Sequence, residues 1–356
     1  MSTQGSEHSE AVLCSRCFND QGLKLDSFRI GFENDAVCPN CGSNDGRKLS
    51  RELIARLAHR FFVRGTIHRT EYGGAPVIQF NEHQRTSISA APGFESDLKL
   101  FEKTLGVGFF HYGPLLWMVG QVEPLKALQE IGTRAAVISR IVAEYPQREL
   151  PKAELFYRVR RNPSDPSSPM EYDSPPKHLA GKHRLDSVDF PVLYGSQDLE
   201  VCVHECRVTV DDEVFVATLG PLRPLRLLDL TVVLQEGVTE FESLDITVHM
   251  LFLAGEHSYE ISRAIAIAGL RAGYDGLIYP SYFSLVRSGA IPFETAYGLS
   301  IRIIPQFAAY AESQAIPNLA LFGRPIEQGV AEVRCINKLV LNRVEYDLLF
   351  GPVGYV

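Results

Sequence analysis

The chain has 356 residues, 45% of them hydrophobic and 22% charged. That is enough apolar mass for one large domain or two ordinary ones, and it excludes a disordered or fibrous chain. Thirty-five Lys and Arg against 43 Asp and Glu leave a net charge of −8, which excludes a surface built throughout to neutralise phosphates; nucleic acid is an unlikely partner, and any contact with it would be local. The most apolar stretch, Gly106 to Val122, is interrupted by His111, Pro114 and Gln121 and falls short of the roughly 20 residues a membrane span needs. The N-terminus MSTQGSEHSE lacks the basic start and apolar centre of a secretory signal. A cytoplasmic protein without membrane contact is expected.

The first recognisable unit covers residues 11–46. Cys14 and Cys17 form one Cys-x-x-Cys pair, Cys38 and Cys41 a second, with twenty residues between the pairs. Each turn lets two thiolates reach one ion, and two turns complete the closed S4 set of a structural zinc site. Such a site keeps no open position for catalysis. A redox dithiol needs no second copy at this spacing, and a unit of about 36 residues is expected to take most of its folding energy from the ion.

Residues 47–150 read as a helical region. Ser50 suits an N-cap, with Leu53, Leu57 and Phe61 on one helical face and Arg56, Arg60 and Arg64 on another. From Arg47 to Arg69 seven Lys and Arg face one acid, a basic surplus that suits either a solvated face or an acidic partner. Helices are expected from Ser96 to Leu105 and from Pro124 to Tyr145, the latter with Leu125, Leu128, Ala135, Ile138 and Val142 on its apolar stripe. Such single-stripe helices would join the ribbon to the rest of the chain and serve a homodimer interface.

Residues 151–356 change to short β-like runs. Strands are expected at Leu155 to Arg160, Pro191 to Tyr194, Val214 to Leu219, Leu225 to Leu228, Leu277 to Tyr279 and Gly298 to Ile304. Helices are expected near Gln197 to Arg207 and Ser258 to Ala272. The proline-rich run Asn162 to Pro176 forbids regular structure and is long enough to suggest function. Strands and helices interleave without a regular βαβ repeat, so the expected fold class is α+β: a mixed β-sheet flanked by helices, plus the small N-terminal zinc ribbon and helical region.

Four features carry chemistry. Arg158 and Arg160 lie two apart and share one face of a strand. Arg184-Leu185-Asp186 follows the proline-rich run. Glu205 sits beside the apolar stripe Leu199, Cys202, Val203 and Cys206 of a short helix. Tyr274-Asp275-Gly276-Leu277-Ile278-Tyr279-Pro280-Ser281 runs from a turn into a buried strand that Pro280 stops, leaving Ser281 at its C-terminal end, where α/β proteins place ligand groups. Each also has a plain structural reading: an Arg158–Glu205 ion pair, a solvated Arg184, Ser281 as a turn residue, and Cys202 and Cys206 as buried free thiols rather than metal ligands.

Taken in order, Tyr157-Arg158-Val159-Arg160, the Pro-Pro and Arg-x-Asp motifs, Pro191-Val192-Leu193-Tyr194-Gly195-Ser196 with His204-Glu205-Cys206-Arg207, and the Tyr-Asp-Gly-Leu-Ile-Tyr-Pro-Ser segment resemble the RES domain family from about Pro151 to Ile304. The resemblance implies an NAD+-degrading enzyme with a fold similar to the ADP-ribosyltransferases, many members being toxins of toxin–antitoxin pairs. It puts the family's arginines on Arg158 and Arg184, its glutamate on Glu205 and its serine on Ser281. Many members read Gly-Arg-Phe/Trp-Asn at the second arginine, where this chain has Gly181-Lys182-His183-Arg184-Leu185-Asp186, so Lys182 competes with Arg184. Tyr172 is a weak candidate for an aromatic residue used by some toxins.

Glu205 would face the growing oxocarbenium charge, as a carboxylate does in glycoside hydrolysis. Arg158 and Arg184 would fork onto the pyrophosphate, and Ser281 would position ribose or nucleophile. The expected partners are therefore NAD+, phosphate or water as nucleophile, a second copy of the chain, and an antitoxin or regulatory protein. The rival readings are a zinc-ribbon adaptor that binds nucleotide or nucleic acid without turnover, and an ADP-ribosyltransferase.

Overall fold

The computed structural model describes residues 10–70, 73–89, 94–112, 122–176, 179–284, 288, 294–296, 299–343 and 348–353. The chain divides into two compact units. The first comprises Met1–Arg69, Gly74–Leu116 and Tyr346–Val356; the second comprises Thr70–Gly73 and Trp117–Glu345. The sequence-based division is 11–46, 47–150 and 151–356.

In the first unit, β1 (Leu13–Cys14) pairs antiparallel with β2 (Lys48–Leu49). Between the cysteine pairs runs a helix, α1 (Gln21–Ile30), opened by the Asp20 carboxylate, which accepts the Leu23 N–H. The next helix, α2 (Arg51–Ala58), is capped by Ser50 as expected, its hydroxyl accepting the Leu53 N–H. The chain then loosens into a π-turn at His59–Val63, and the buried side becomes Ile54, Leu57, Phe61 and Phe62 in place of Leu53. These residues share one core with Leu13, Phe18, Leu23 and Leu49, and with Leu98 and Phe101 of α3 (Glu95–Leu105), beside which β3 (Ile78–Asn81) and β4 (Gly108–His111) pair antiparallel. The ribbon-like segment is thus built into an aromatic-rich core and does not rely on an ion alone. The end of the chain belongs here too: Arg29 donates to the Leu348 carbonyl at 2.8 Å, and a Cβ on Gly65 would meet the Gly351 backbone at 2.5 Å.

The second unit begins with α4 (Glu123–Gln129) and α5 (Ile131–Glu144), two helices broken at Glu130 rather than the one expected. Val137, Ile138 and Ile141 form the buried stripe, and Ala135 is exposed. The helices pack into the main core of this unit.

A five-stranded mixed sheet lies at the centre. Its order is β5 (Gln147–Leu150), β9 (Leu225–Asp229), β10 (Gly276–Pro280), β11 (Pro317–Phe322) and β7 (Val192–Gly195), with β9 and β10 parallel and the other pairs antiparallel. The parallel pair needs a long crossover, supplied by α7 (Leu244–Leu253) and α8 (Tyr259–Arg271). Strand alternation divides the sheet into two faces. Leu228, Leu277, Tyr279, Ala320 and Phe322 meet the helices. Leu227, Ile278, Leu319 and Leu321 meet a three-stranded sheet of order β12 (Ala331–Leu339), β8 (Val214–Pro221) and β6 (Phe156–Arg161).

The two sheets are joined where Tyr157 and Ser196 exchange backbone hydrogen bonds of 2.7 and 3.1 Å. The mixed β-sheet with helices is as expected. The strand foreseen at Gly298 to Ile304 is not formed. Residue 298 lies outside the described residues, only Leu299–Ser300 is extended, and Ile301–Ile303 closes into a 3-10 turn opened by the Ser300 hydroxyl. No described helix is long and apolar enough to cross a membrane; of the apolar stretch Gly106 to Val122, residues 113–121 lie outside the described residues.

Candidate functional site

Glu205 closes the short helix α6 (Leu199–Glu205), whose start is set by the Asp198 carboxylate accepting the Val201 N–H at 3.0 Å. Cys202 lies on the buried side with Val159 and Val216, flanked by Leu199, Val203 and Cys206. Val201, absent from the expected stripe, is fully buried. The two thiols donate to strand carbonyls, Cys202 to Tyr157 and Cys206 to Val159. Burial pushes Cys202 up to about 12 and raises Cys206 as well. They are free thiols, Cys202 buried and Cys206 half-buried, that seat α6 on β6.

This seating leaves Glu205 at the exposed end of the helix. Its Oε1 accepts two side-chain hydrogen bonds, from the Ser281 hydroxyl at 2.5 Å and from the Asn318 amide at 2.7 Å. Ser281 follows β10 directly, stopped there by Pro280 as expected, and is almost wholly buried. Its oxygen also accepts the Phe283 N–H at 3.1 Å. Gly276 allows the close approach of β10 to β11, since a Cβ there would lie 2.3 Å from the Ala320 carbonyl oxygen. Register then places Asn318 opposite Tyr279. Burial, followed by the charge of Glu205, raises Tyr279 well above the ordinary tyrosine range, so its phenol stays neutral beside the carboxylate.

Arg184 is not a solvated loop charge. Its guanidinium donates to the carbonyls of Leu251 at 3.0 Å and Ala254 at 2.7 Å, ending α7, and lies over the Tyr259 ring at 5.0 Å. Burial lowers its pKa, opposed by Tyr259, Tyr279 and Glu205, so Glu205 lies within its field. Asp186 of the same motif locks the loop by accepting the N–H groups of Gly181 and His183, both at 2.8 Å. Lys182, the competing cation, is exposed on that loop.

Arg158 goes elsewhere. On β6, Tyr157 and Val159 take the face that packs on α6, so Arg158 points with Phe156 to the opposite face, between the sheets. There it is 6% exposed and donates to the carbonyls of Tyr194 at 2.8 Å and Asp173 at 3.0 Å. Burial, and then the charge of Arg160, lowers its pKa. Among the described residues its guanidinium makes no ion pair with Glu205 and instead ties two backbone segments together. Tyr172 is fully buried, its hydroxyl donating to the Pro166 carbonyl at 3.0 Å, and so offers no ring to a ligand.

The structure therefore brings Glu205 and Ser281 together, holds Arg184 in electrostatic range, and ties Arg158 to backbone carbonyls between the sheets. It adds Asn318 and an aromatic pair, His204 and Phe283, with ring centroids 5.7 Å apart and planes at 24° beside the carboxylate. The only sequence signal for Asn318 is one amide in the otherwise apolar run Pro317 to Phe322. With two donors on Oε1, the other oxygen of the exposed Glu205 accepts no hydrogen bond among the described residues. Such a carboxylate can face a developing cation or accept a hydroxyl.

In the first unit, the sulfurs of Cys14, Cys17, Cys38 and Cys41 all lie within 4.8 Å of one another and could hold a metal ion. Lys48 is fully buried beside them, its ammonium donating to the Asn44 carbonyl at 2.9 Å and, more weakly, to those of Ser43 and Gly46, which fixes the second cysteine turn.

No curated protein matches the chain. Among solved structures it is similar to the M. tuberculosis MbcT–MbcA toxin–antitoxin complex, at 13% identity and a TM-score of 0.33, covering 57% of this chain and 92% of that one. The segment that carries Glu205, Ser281 and both arginines, residues 155–299, is matched by the family model of the RES domain.

Proposed function

We propose that the second unit is an NAD+-consuming enzyme that cleaves the bond between nicotinamide and ribose. The observation that carries the reading is the Glu205 carboxylate inside the RES match, anchored through one oxygen by Ser281 and Asn318 and open at the other. In NAD+ the leaving nicotinamide is already cationic, so the C–N electron pair returns to its ring nitrogen without acid help. The positive charge then passes to the anomeric carbon, where the free oxygen of Glu205 stabilises it. Water adding to that carbon gives ADP-ribose and a proton; phosphate adding gives ADP-ribose 1″-phosphate.

Ser281 donates to Glu205 and accepts from Phe283, so in this reading it holds the carboxylate rather than the nucleophile. Arg184 lends positive potential to the site from its place under the aromatic rings, and Arg158 supports the site from between the sheets. An enzyme that drains NAD+ calls for restraint, and an antitoxin or regulatory partner belongs to the same reading.

The test is pure protein with NAD+, with and without phosphate, followed by product mass. Nicotinamide release is expected, falling at least about 100-fold in Glu205→Gln with the fold retained, as when an electrostatic stabiliser is removed. Full turnover by that variant rejects the site, and transfer of label from NAD+ to protein marks a transferase instead.

For the cysteine cluster the proposed ion is zinc. Three of the sulfur pairs are 3.5, 3.6 and 3.8 Å apart and all lie within 4.8 Å, close to the roughly 3.8 Å edge of a tetrahedron with Zn–S bonds of about 2.3 Å. Cys14, Cys17, Cys38 and Cys41 would hold it, and its role would be structural.

A further inference from the structure

We infer that Asn318 is a positioning residue of the NAD+ site, setting the orientation of the Glu205 carboxylate from outside the matched domain. This rests on the NAD+ reading above and adds a residue to it. Asn318 lies beyond residue 299, where the RES match ends. It is 3% exposed on β11, whose next four residues, Leu319 to Phe322, are all buried and apolar.

A buried amide in such a strand is costly unless it is bonded, and its bond goes to a carboxylate 113 residues away in sequence, at 2.7 Å. Its register partner on β10 is Tyr279. β11 is paired on both sides, with β10 and with β7, so the amide stands on a rigid element, as a supporting group should. Ser281 reaches the same oxygen of Glu205 from the end of β10. Two donors fixed on neighbouring strands hold the plane of the carboxylate, and either one alone leaves it free to swing about the remaining bond.

Because Asn318 acts through Glu205, its loss weakens an interaction made mainly in the transition state, which lowers kcat and leaves KM in place. Asn318→Leu keeps the volume and removes the donor; Asn318→Asp keeps the shape and replaces the donor with a like charge. Nicotinamide release is expected to fall roughly 10- to 100-fold in kcat for Asn318→Leu, the size of a lost hydrogen bond to a charged group, and further for Asn318→Asp, with KM within about threefold for both.

A folded Asn318→Leu protein with wild-type kcat overturns the inference, as does a rise in KM with kcat intact. Failure of both variants to fold also overturns it, since Asn318 is then a structural strut. Wild-type protein inert toward NAD+ overturns the NAD+ reading and the role of Asn318 with it, whereas wild-type turnover with an unaffected variant overturns Asn318 alone.

Discussion

Arg158 illustrates how a residue singled out by motif can also be tied into the fold. Its two forked nitrogens meet the carbonyls of Tyr194 and Asp173, while its Nε has no partner among the described residues. Asp173 in turn accepts the Glu327 N–H at 2.9 Å and the Ser174 N–H at 2.8 Å, so the guanidinium ties a four-segment knot beneath the site. Hydrogen bonds to a charged group contribute about 1.5–3 kcal/mol each. Removing both at once while leaving two buried carbonyls unpaired predicts a loss of about 3 kcal/mol or more for Arg158→Ala. A thermal melt checks this: Tm is expected to fall clearly, and activity to fall with it. An unchanged Tm with lost activity would restore Arg158 to the substrate. Glu205→Gln is expected to behave in the opposite way, since its exposed end of α6 contributes little to packing and its loss is read in turnover alone.

At the scale of elements, what was legible followed periodicity. The strand expected at Leu155 to Arg160 is Phe156–Arg161, and the helix expected at Ser258 to Ala272 is Tyr259–Arg271, because one alternates every second residue and the other carries a single apolar stripe. The helix α7 was not foreseen because eight of its ten residues are buried, leaving no stripe to detect. Glu205 and Ser281 were legible through motifs of several residues each. Asn318 was not, since its meaning depends on strand register and on a partner from a distant helix.

The same limit hid the pairing of Asp245, on α7, with Arg302, two bonds of 2.6 and 2.9 Å with both side chains nearly sealed from solvent. Breaking a buried pair from one side leaves an uncompensated charge and costs about 3–5 kcal/mol. Asp245→Ala is therefore expected to destabilise the second unit by that amount in denaturant unfolding. Asp245→Ala combined with Arg302→Met should recover much of the loss, and a double variant no better than the single one would show that the pair is not the cause.

At the scale of the whole molecule, the chain's two units have separate cores. Among the described residues, those of the first unit from Leu13 to Phe109, with Phe350 packed against them, form one core, and the helices and sheets of the second unit form others. The cysteine cluster lies wholly in the first, and Glu205, Ser281 and Asn318 lie wholly in the second. An ion held by four thiolates stabilises only the unit that folds around it, and its removal leaves four crowded sulfurs to be protonated. Chelation of the full-length protein is therefore expected to lower or abolish one unfolding transition and leave a second in place. Nicotinamide release at a temperature below that second transition should stay within about twofold of the untreated protein, a tolerance smaller than the roughly tenfold of 1.4 kcal/mol. Cys38→Ser should reproduce the chelator's effect on melting without adding to it. If chelation and Cys38→Ser both abolish turnover while the second transition persists, the first unit acts on the catalytic site and the metal has a part in activity rather than in folding alone.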